Sequence, residues 1–286
     1  AFGRNVEWDD AKQTANIRSA PSPLTVIGFY ALGDSQTSSW SDLFGKAYPD
    51  RATGNTDVVD EVALGWYSLD KEGNLLTKSS TGWQRPEDWE EVLKAANSVQ
   101  LQTEMVIHLT DGDGTISSLL DNKAAMDKAV SDIMREAGMY GGVNLDFEGL
   151  GWEMNDRQLQ IERDKFTHFV QLLSKQLKAR NLTLTLSLHP LNSAYLGYDY
   201  KALGKLSDRI IVMAYDYGAS PEPTSYVLEA VQMAKAAVPA EKLVLGISAP
   251  SETPESILTK VQIAKRYHLD GIALWRLGVV PDKMWE

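Results

Sequence analysis

The chain has 286 residues, of which 43% are hydrophobic and 23% charged, a globular balance that excludes a disordered polymer and a membrane-embedded one. A net charge of -11 sets most of the surface against polyphosphates, so nucleic acid is not an expected partner. Cysteine is absent, which excludes disulfides, thiolate metal sites and a cysteine nucleophile.

Residues 1–23 read as an N-terminal extension, with Ser19-Ala20-Pro21-Ser22-Pro23 as a short stiff lead into the remainder of the chain. The chain begins at Ala1, and no apolar run reaches the roughly 20 residues of a spanning helix. The expectation is a monomer without a membrane span, secreted or associated with the cell envelope. From Leu24 onward, short β-rich runs alternate with helical patterns. Strands are predicted at 25–31, 61–67, 104–109, 142–148, 182–188, 209–215, 243–248 and 271–275. Helices are predicted at 122–138, where Ala125, Ala129, Ile133 and Ala137 share a face, and at 155–180, where Phe166, Phe169, Val170, Leu173 and Leu177 form one stripe. Two more fall at 225–237 and 254–267. Eight strand and helix units in about 250 residues imply parallel pairing with right-handed crossovers, closed into one (β/α)8 TIM barrel over residues 24–286. A doubly wound open sheet is the competing fold. It is disfavoured because Gly28-Phe29-Tyr30-Ala31-Leu32-Gly33 has the wrong glycine spacing for a dinucleotide loop.

The fourth predicted strand, Gly142-Val143-Asn144-Leu145-Asp146-Phe147-Glu148, carries the chemistry. Side chains alternate along a strand, so Asn144, Asp146 and Glu148 share one face while Val143, Leu145 and Phe147 share the other. Two carboxylates and an amide in a barrel interior cost several kcal/mol unless paired or neutralised, which points to a functional site. Barrel enzymes work at the C-terminal ends of their strands, and Tyr30, Tyr67, His108, Glu148, His189, Asp216 and Trp275 all fall there. For His108 and His189 a capping role stays open, as does a core role for Tyr67. Asp111-Gly112-Asp113-Gly114 lacks the further oxygen ligands of a calcium loop and reads as a turn. The four histidines are scattered and no Gly-x-Ser-x-Gly elbow exists, so neither a metal, a cofactor nor a serine triad is expected.

Four stretches together resemble glycoside hydrolase family 18, the chitinase-like barrels. They are Val26-Ile27-Gly28-Phe29-Tyr30, Asp60-Glu61-Val62-Ala63-Leu64-Gly65-Trp66-Tyr67, the 142–148 segment and Met213-Ala214-Tyr215-Asp216, with Gly271-Ile272-Ala273-Leu274-Trp275 in support. The resemblance is strongest to the bacterial branch of spore and cell-wall N-acetylglucosaminidases. The family pattern on the fourth strand is Asp-x-x-Asp-x-Asp-x-Glu. Glu148 and Asp146 match its last two acids, whereas Asn144 and Gly141 replace the first two.

By that resemblance the protein is a β-N-acetylglucosaminidase or chitinase-like glycosidase acting on an N-acetylglucosamine-containing polysaccharide, peptidoglycan or chitin-like. It cleaves with retention, the substrate's own N-acetyl oxygen serving as nucleophile. Glu148 is the implied proton donor, Asp146 the group that steadies the acetamido nitrogen, and Tyr215 the hydroxyl that holds the acetamido oxygen. Asn144, Asp216, Trp275 and Tyr30 are the implied substrate-binding residues, with Asn144 holding Asp146 in place and Trp275 as the floor under the scissile sugar. A second carboxylate beside Glu148 is expected to raise its pKa by like-charge repulsion. Trp83, Trp89 and Trp152 either extend a sugar-stacking groove or pack helices and loops. The short stretch between the seventh and eighth strands, 249–270, leaves no room for the α+β insertion that walls many chitinase clefts. Two alternatives remain open: a sugar-binding barrel with little or no turnover, and a glycosidase that uses Asp216 as a carboxylate nucleophile.

Overall fold

The computed structural model describes residues 4–9, 14–19, 24–31, 39–52, 54–79 and 82–285, so the proline-rich lead at 20–23 lies outside the described residues. An antiparallel hairpin opens the chain, with β1 (Arg4–Asp9) paired to β2 (Thr14–Ser19) from Arg4↔Ser19 to Asp9↔Thr14. Eight parallel strands come next: β3 (Thr25–Ala31), β4 (Glu61–Leu69), β6 (Gln102–Thr110), β7 (Gly142–Glu148), β8 (Thr183–Leu188), β9 (Arg209–Val212), β10 (Leu243–Ser248) and β11 (Gly271–Trp275). A two-residue strand, β5 (Leu75–Leu76), turns back antiparallel on the end of β4. The parallel strands neighbour one another in chain order and β3 pairs with both β4 and β11, which closes a (β/α)8 barrel. Around it lie α1 (Ser39–Phe44), α2 (Trp89–Ser98), α3 (Thr115–Asp121), α4 (Lys123–Glu136), α5 (Asp156–Lys178), α6 (Tyr200–Leu206), α7 (Thr224–Ala237) and α8 (Pro254–Arg266). Among the described residues no helix is long and apolar enough to cross a membrane.

Local chemistry sets the long helices. Asn122 caps α4 by accepting from the Ala124 and Ala125 amides, while Asn155 and Gln158 form a reciprocal capping box on α5. Thr253 and Ser256 do the same for α8, whose first residue is Pro254. Between β10 and β11 the chain makes only a short 3-10 turn, Ala249–Ser251, and α8, so the groove has no inserted wall on that side.

The alternation along the strands separates two apolar layers. Val143, Leu145 and Phe147 point outward, Phe147 meeting Phe166 and Phe169 of α5 at 5.9 and 5.7 Å between ring centres. The interior layer is smaller and holds Ile27, Phe29, Ala63, Val106, Ile211, Val244 and Ala273 together with Trp83 from the segment after β5. Below it sits an ionic floor. Arg209 bridges Glu61 at 2.5 Å and Glu104 at 3.0 Å, Thr185 donates its hydroxyl to Glu104 at 2.5 Å, and Asn144 donates to Glu104 at 3.3 Å.

Two departures from the strand pattern shape the mouth. A bulge between Gly65 and Tyr67 breaks the alternation in β4, so Trp66 and Tyr67 both join the outer layer. The sixth barrel strand, expected to run to Tyr215, leaves its ladder after Val212. There the Ala214 amide bonds to the Val212 carbonyl at 2.8 Å and the Tyr215 amide to the Met213 carbonyl at 2.9 Å, two tight turns that curl the chain over the barrel mouth.

Candidate active site

The strand β7 carries its polar residues up one interior column. Asn144 at the bottom is fully buried, Asp146 is 3% exposed and the Glu148 side chain at the rim is 29% exposed. The column sits this close to β8 because Gly142 has no side chain; a Cβ there would overlap the Thr183 hydroxyl. Asn144 accepts from the Ser187 hydroxyl at 2.9 Å and donates to Glu104, so its amide is committed to the floor rather than to Asp146. Gly141 lies exposed at the foot of the strand, its amide bonded to the Thr103 carbonyl at 2.9 Å. The family's first acid is therefore replaced at the base of the barrel, away from the mouth.

Two histidines grip the acid at the rim. His108, one strand over on β6, approaches Glu148 Oε1 with Nε2 at 3.2 Å. His189, just beyond β8, approaches Oε2 at 3.5 Å. Burial pushes the Glu148 carboxyl up, but the hydrogen bond and charge of His108 and the charge of His189 outweigh it and hold the group below its ordinary value. Asp146 behaves oppositely: burial first, and the nearby Glu148 charge second, raise it well above the ordinary carboxylate range. The like-charge repulsion expected to favour the acid form of Glu148 therefore acts on its neighbour. Glu148 has two imidazole neighbours and a solvent edge, whereas Asp146 lies deeper.

His108, Asp146 and Glu148 bring ligand atoms within 4.8 Å of one another, the one such trio among the described residues that could hold a metal ion. An ion there would have to displace the His108 imidazole from its contact with Glu148.

Tyr215 faces the same pair. Its hydroxyl is held well above its usual range, first by burial and then by the charges of Asp146, Glu148 and Asp216. Gly246 of β10 makes room for it, since a Cβ there would lie 3.1 Å from the Tyr215 ring and 2.9 Å from the Val212 carbonyl. Asp216 is exposed at the cleft edge in the left-handed region (φ 63°). The buried Glu222 carboxylate holds this turn by accepting the Asp216 and Tyr217 amides at 3.0 and 3.1 Å. Trp275 ends β11 at the top of the interior layer, with Phe29 edge-on at 5.5 Å and Trp83 stacked on it at 5.2 Å. Trp83 also lies flat on His108 at 4.1 Å, so one indole joins the imidazole that grips Glu148 to the tryptophan on the other wall.

Other residues singled out in the sequence fall elsewhere. Tyr30 points outward, edge-on to Trp66 at 6.1 Å, because its neighbour Phe29 takes the inward position. Tyr67 is likewise outside the interior, bonded to Tyr140 at 2.8 Å and Arg85 at 3.0 Å. Trp89 carries the Arg85 guanidinium over its ring at 4.5 Å. Phe29, Tyr195, Ser187, Glu104 and Arg209 were not among the sequence candidates for the site, and Trp83 was offered only as one of three tryptophans that either extend a groove or pack loops. Inward parity marks Phe29, Glu104 and Arg209 on their strands, whereas the position of Trp83 depends on a chain reversal that no periodicity reports.

The polar face of β7 and the curled Tyr215 turn both fall within residues 74–252, which match the Glycosyl hydrolases family 18 profile. This chain belongs to glycosyl hydrolase family 18. Among curated relatives of this family 18 barrel, the uncharacterized glycosylase YvbX of Bacillus subtilis is 24% identical over 250 residues, covering 78% of the chain and 67% of YvbX. The cortical fragment-lytic enzyme of Bacillus anthracis is 26% identical over 144 residues, covering 46% of the chain and 31% of that enzyme. A further Bacillus subtilis glycosylase is spanned over 38% of its length, so several relatives are far longer than the matched region. In three dimensions a chitinase from Chromobacterium violaceum superposes with a TM-score of 0.74 at 18% identity, covering 92% of this chain and 97% of the chitinase. The spore cortex-lytic enzyme SleL of Bacillus megaterium gives 0.72 at 16% identity, covering 96% and 76%. Their likeness establishes the barrel.

Proposed function

We propose that this barrel hydrolyses β-1,4 bonds next to N-acetylglucosamine in peptidoglycan or chitin-like glycans, with retention and with the substrate's acetamide as nucleophile. The observation that carries this reading is the division of labour between Asp146 and Glu148. Asp146 is too enclosed beneath the rim to attack an anomeric carbon, while Glu148 stands at the rim where a leaving oxygen can reach it. When a sugar presents its acetamide N–H to Asp146, the proton moves from Asp146 to Glu148, leaving a carboxylate below and an acid above. The Tyr215 hydroxyl then orients the acetamide oxygen, which bonds to the anomeric carbon as Glu148 gives its proton to the departing oxygen. Glu148 next takes a proton from water, whose oxygen opens the cyclic intermediate from the same face and regenerates the acetamide.

Residues 24–286 form the catalytic unit of this proposal, with 1–23 as an extension and a secreted or envelope-associated monomer as the working form. A cortical fragment-lytic relative and chitinase-like neighbours support an N-acetylated amino-sugar polymer as substrate. A non-hydrolytic sugar-binding barrel is the second reading, favoured by the downward shift of the Glu148 carboxyl beside its two histidines. The two separate on incubation of the protein with purified peptidoglycan and with chitin oligomers side by side, followed by product masses and the anomeric NMR signal. β-configured new ends are expected. Glu148→Gln should remove turnover by at least about a hundredfold while keeping fold and sugar binding. Wild-type turnover in that variant would overturn the assignment.

A further inference from the structure

Taking the cleft as a site where the substrate's acetamide attacks, we infer that Lys260 and Glu252 are positioning residues for Tyr215, acting through Glu222. Among the described residues Lys260 is the one buried lysine or arginine, 2% exposed. It shares the buried face of α8 with Ile257, Ile263 and Ala264, where the helical period calls for another hydrocarbon side chain. Its ammonium donates to Glu252 Oε2 at 2.5 Å and to the Glu222 carbonyl at 2.9 Å, and the Glu252 side chain is 1% exposed. Attraction within such a buried pair commonly fails to offset the desolvation of its two charges, and packed hydrocarbon of the same volume serves stability as well or better. Stability alone therefore gives no reason for an ion pair at this place.

The pair leads to the mouth of the barrel. Glu222 is buried in a loop whose preceding residues, 218–221, are exposed. Its carboxylate is a fork, with Oε1 accepting the Asp216 amide and Oε2 the Tyr217 amide. A left-handed residue, here Asp216, turns successive amides to one side, the arrangement that receives an anion. Tyr215 stands immediately before it. On one side of this tyrosine its own amide bonds to the Met213 carbonyl at 2.9 Å, and on the other the peptide it shares with Asp216 is held by Glu222. Both peptide planes at Tyr215 are thus tied, and together they set the direction of its Cα–Cβ bond.

The two ties differ in origin. The first is made within the turn itself. The second depends on where Glu222 stands, and the Glu222 backbone is held from α8 by Lys260. Glu252, which follows the short turn after β10, fixes the ammonium in turn. A methionine at 260 would fill the same space, but it would offer no donor to the Glu222 carbonyl. That directional bond is what the lysine adds, and it carries the placement of α8 to the hydroxyl that orients the acetamide. Displacing an orienting group by about 1 Å can cost about a hundredfold in rate.

The test is a mutant cycle read in kcat/KM on a chitin oligomer. Lys260→Met combined with Glu252→Gln removes both charges and strands neither, so the fold should stand, with a urea midpoint close to that of wild type. This pair of substitutions should lower kcat/KM at least about tenfold when Tyr215 is present, but less than about twofold when Tyr215→Phe has already removed the hydroxyl. Equal losses in the two backgrounds, or no loss with Tyr215 present, would overturn the assignment, because a merely structural pair acts with or without the hydroxyl. Should the double variant fail to fold, Glu222→Gln, which loosens the fork and leaves the ion pair in place, carries the same cycle with the same expected and overturning results. Wild type inactive on both the oligomer and peptidoglycan would sink the hydrolytic reading, and the cycle is then read in affinity for the oligomer. A loss of affinity confined to the Tyr215 background would keep the positioning role, whereas equal losses, no loss or no binding would sink both.

Discussion

His108 holds the Glu148 carboxyl below its ordinary value. Its Nε2 lies 3.2 Å from Glu148, and its ring is clamped flat on Trp83, so the hydrogen bond is held by packing as well as by charge. Replacing His108 with Phe keeps a flat ring against Trp83 and deletes the donor. Burial of Glu148 is then opposed only by the charge of His189, and its carboxyl moves upward. Because hydrolysis requires the protonated acid, the alkaline limb of kcat/KM should move to higher pH, by about one unit. The titration belongs to the Asp146 and Glu148 pair rather than to either group alone. A pH profile that superposes on wild type would show that His108 does not tune the pair.

At the scale of the elements, the barrel strands were legible because apolar runs with interior alternation leave few other folds open. The 142–148 and 243–248 strands coincide with their predicted limits, and β3 and β11 do as well. Helices with strong stripes and caps, such as α5 behind Asn155, were equally plain. The short helices α1, α2, α3 and α6 carry six to ten residues each, too few turns to display a period. The β4 bulge and the early end of β9 were hidden for another reason: both are backbone events that leave the hydrophobic pattern unchanged. Of the site, the inward column of β7 was visible in the sequence, but the flanking imidazoles acquire meaning only once β6, β7 and β8 are aligned. The two adjacent glycines that open β7 make unequal demands. A Cβ on Gly142 would lie 2.8 Å from the Thr183 carbonyl, whereas one on Gly141 meets nothing nearer than 3.4 Å. Gly142→Ala should therefore destabilise the fold by about 1–3 kcal/mol, and Gly141→Ala should stay within about 0.5 kcal/mol of wild type. Urea midpoints of the two variants measure the contrast, and equal midpoints would mean that β7 and β8 are not pressed together at this point.

For the whole molecule, the ionic floor links the far walls of the barrel. Glu61 from β4, Glu104 from β6 and Arg209 from β9 all stand at or near strand starts and all point inward, with Asp270 ahead of β11 at 3.9 Å from the guanidinium. Three carboxyls share one arginine, so the interior carries more acid than it can pair. The excess is relieved by protonation: burial first, then the charge of Glu104, raise Glu61 to about 7 against the attraction of Arg209. A carboxyl whose folded pKa lies above its unfolded value of 4.5 binds its proton more tightly in the native state. Stability from this source is complete below pH about 4.5 and is lost as pH rises through about 7, by at most about 3 kcal/mol. Asp146 contributes in the same direction, so the wild-type slope alone does not isolate the floor. Glu61→Gln does, since it keeps an acceptor for Arg209 and removes the titration. The difference in unfolding free energy between wild type and Glu61→Gln should fall steadily between pH 5 and 7.5, favouring the variant at the upper end. A difference that stays constant across that window would mean the floor holds Glu61 ionised throughout, with Arg209 attracting it more strongly than burial and Glu104 oppose it.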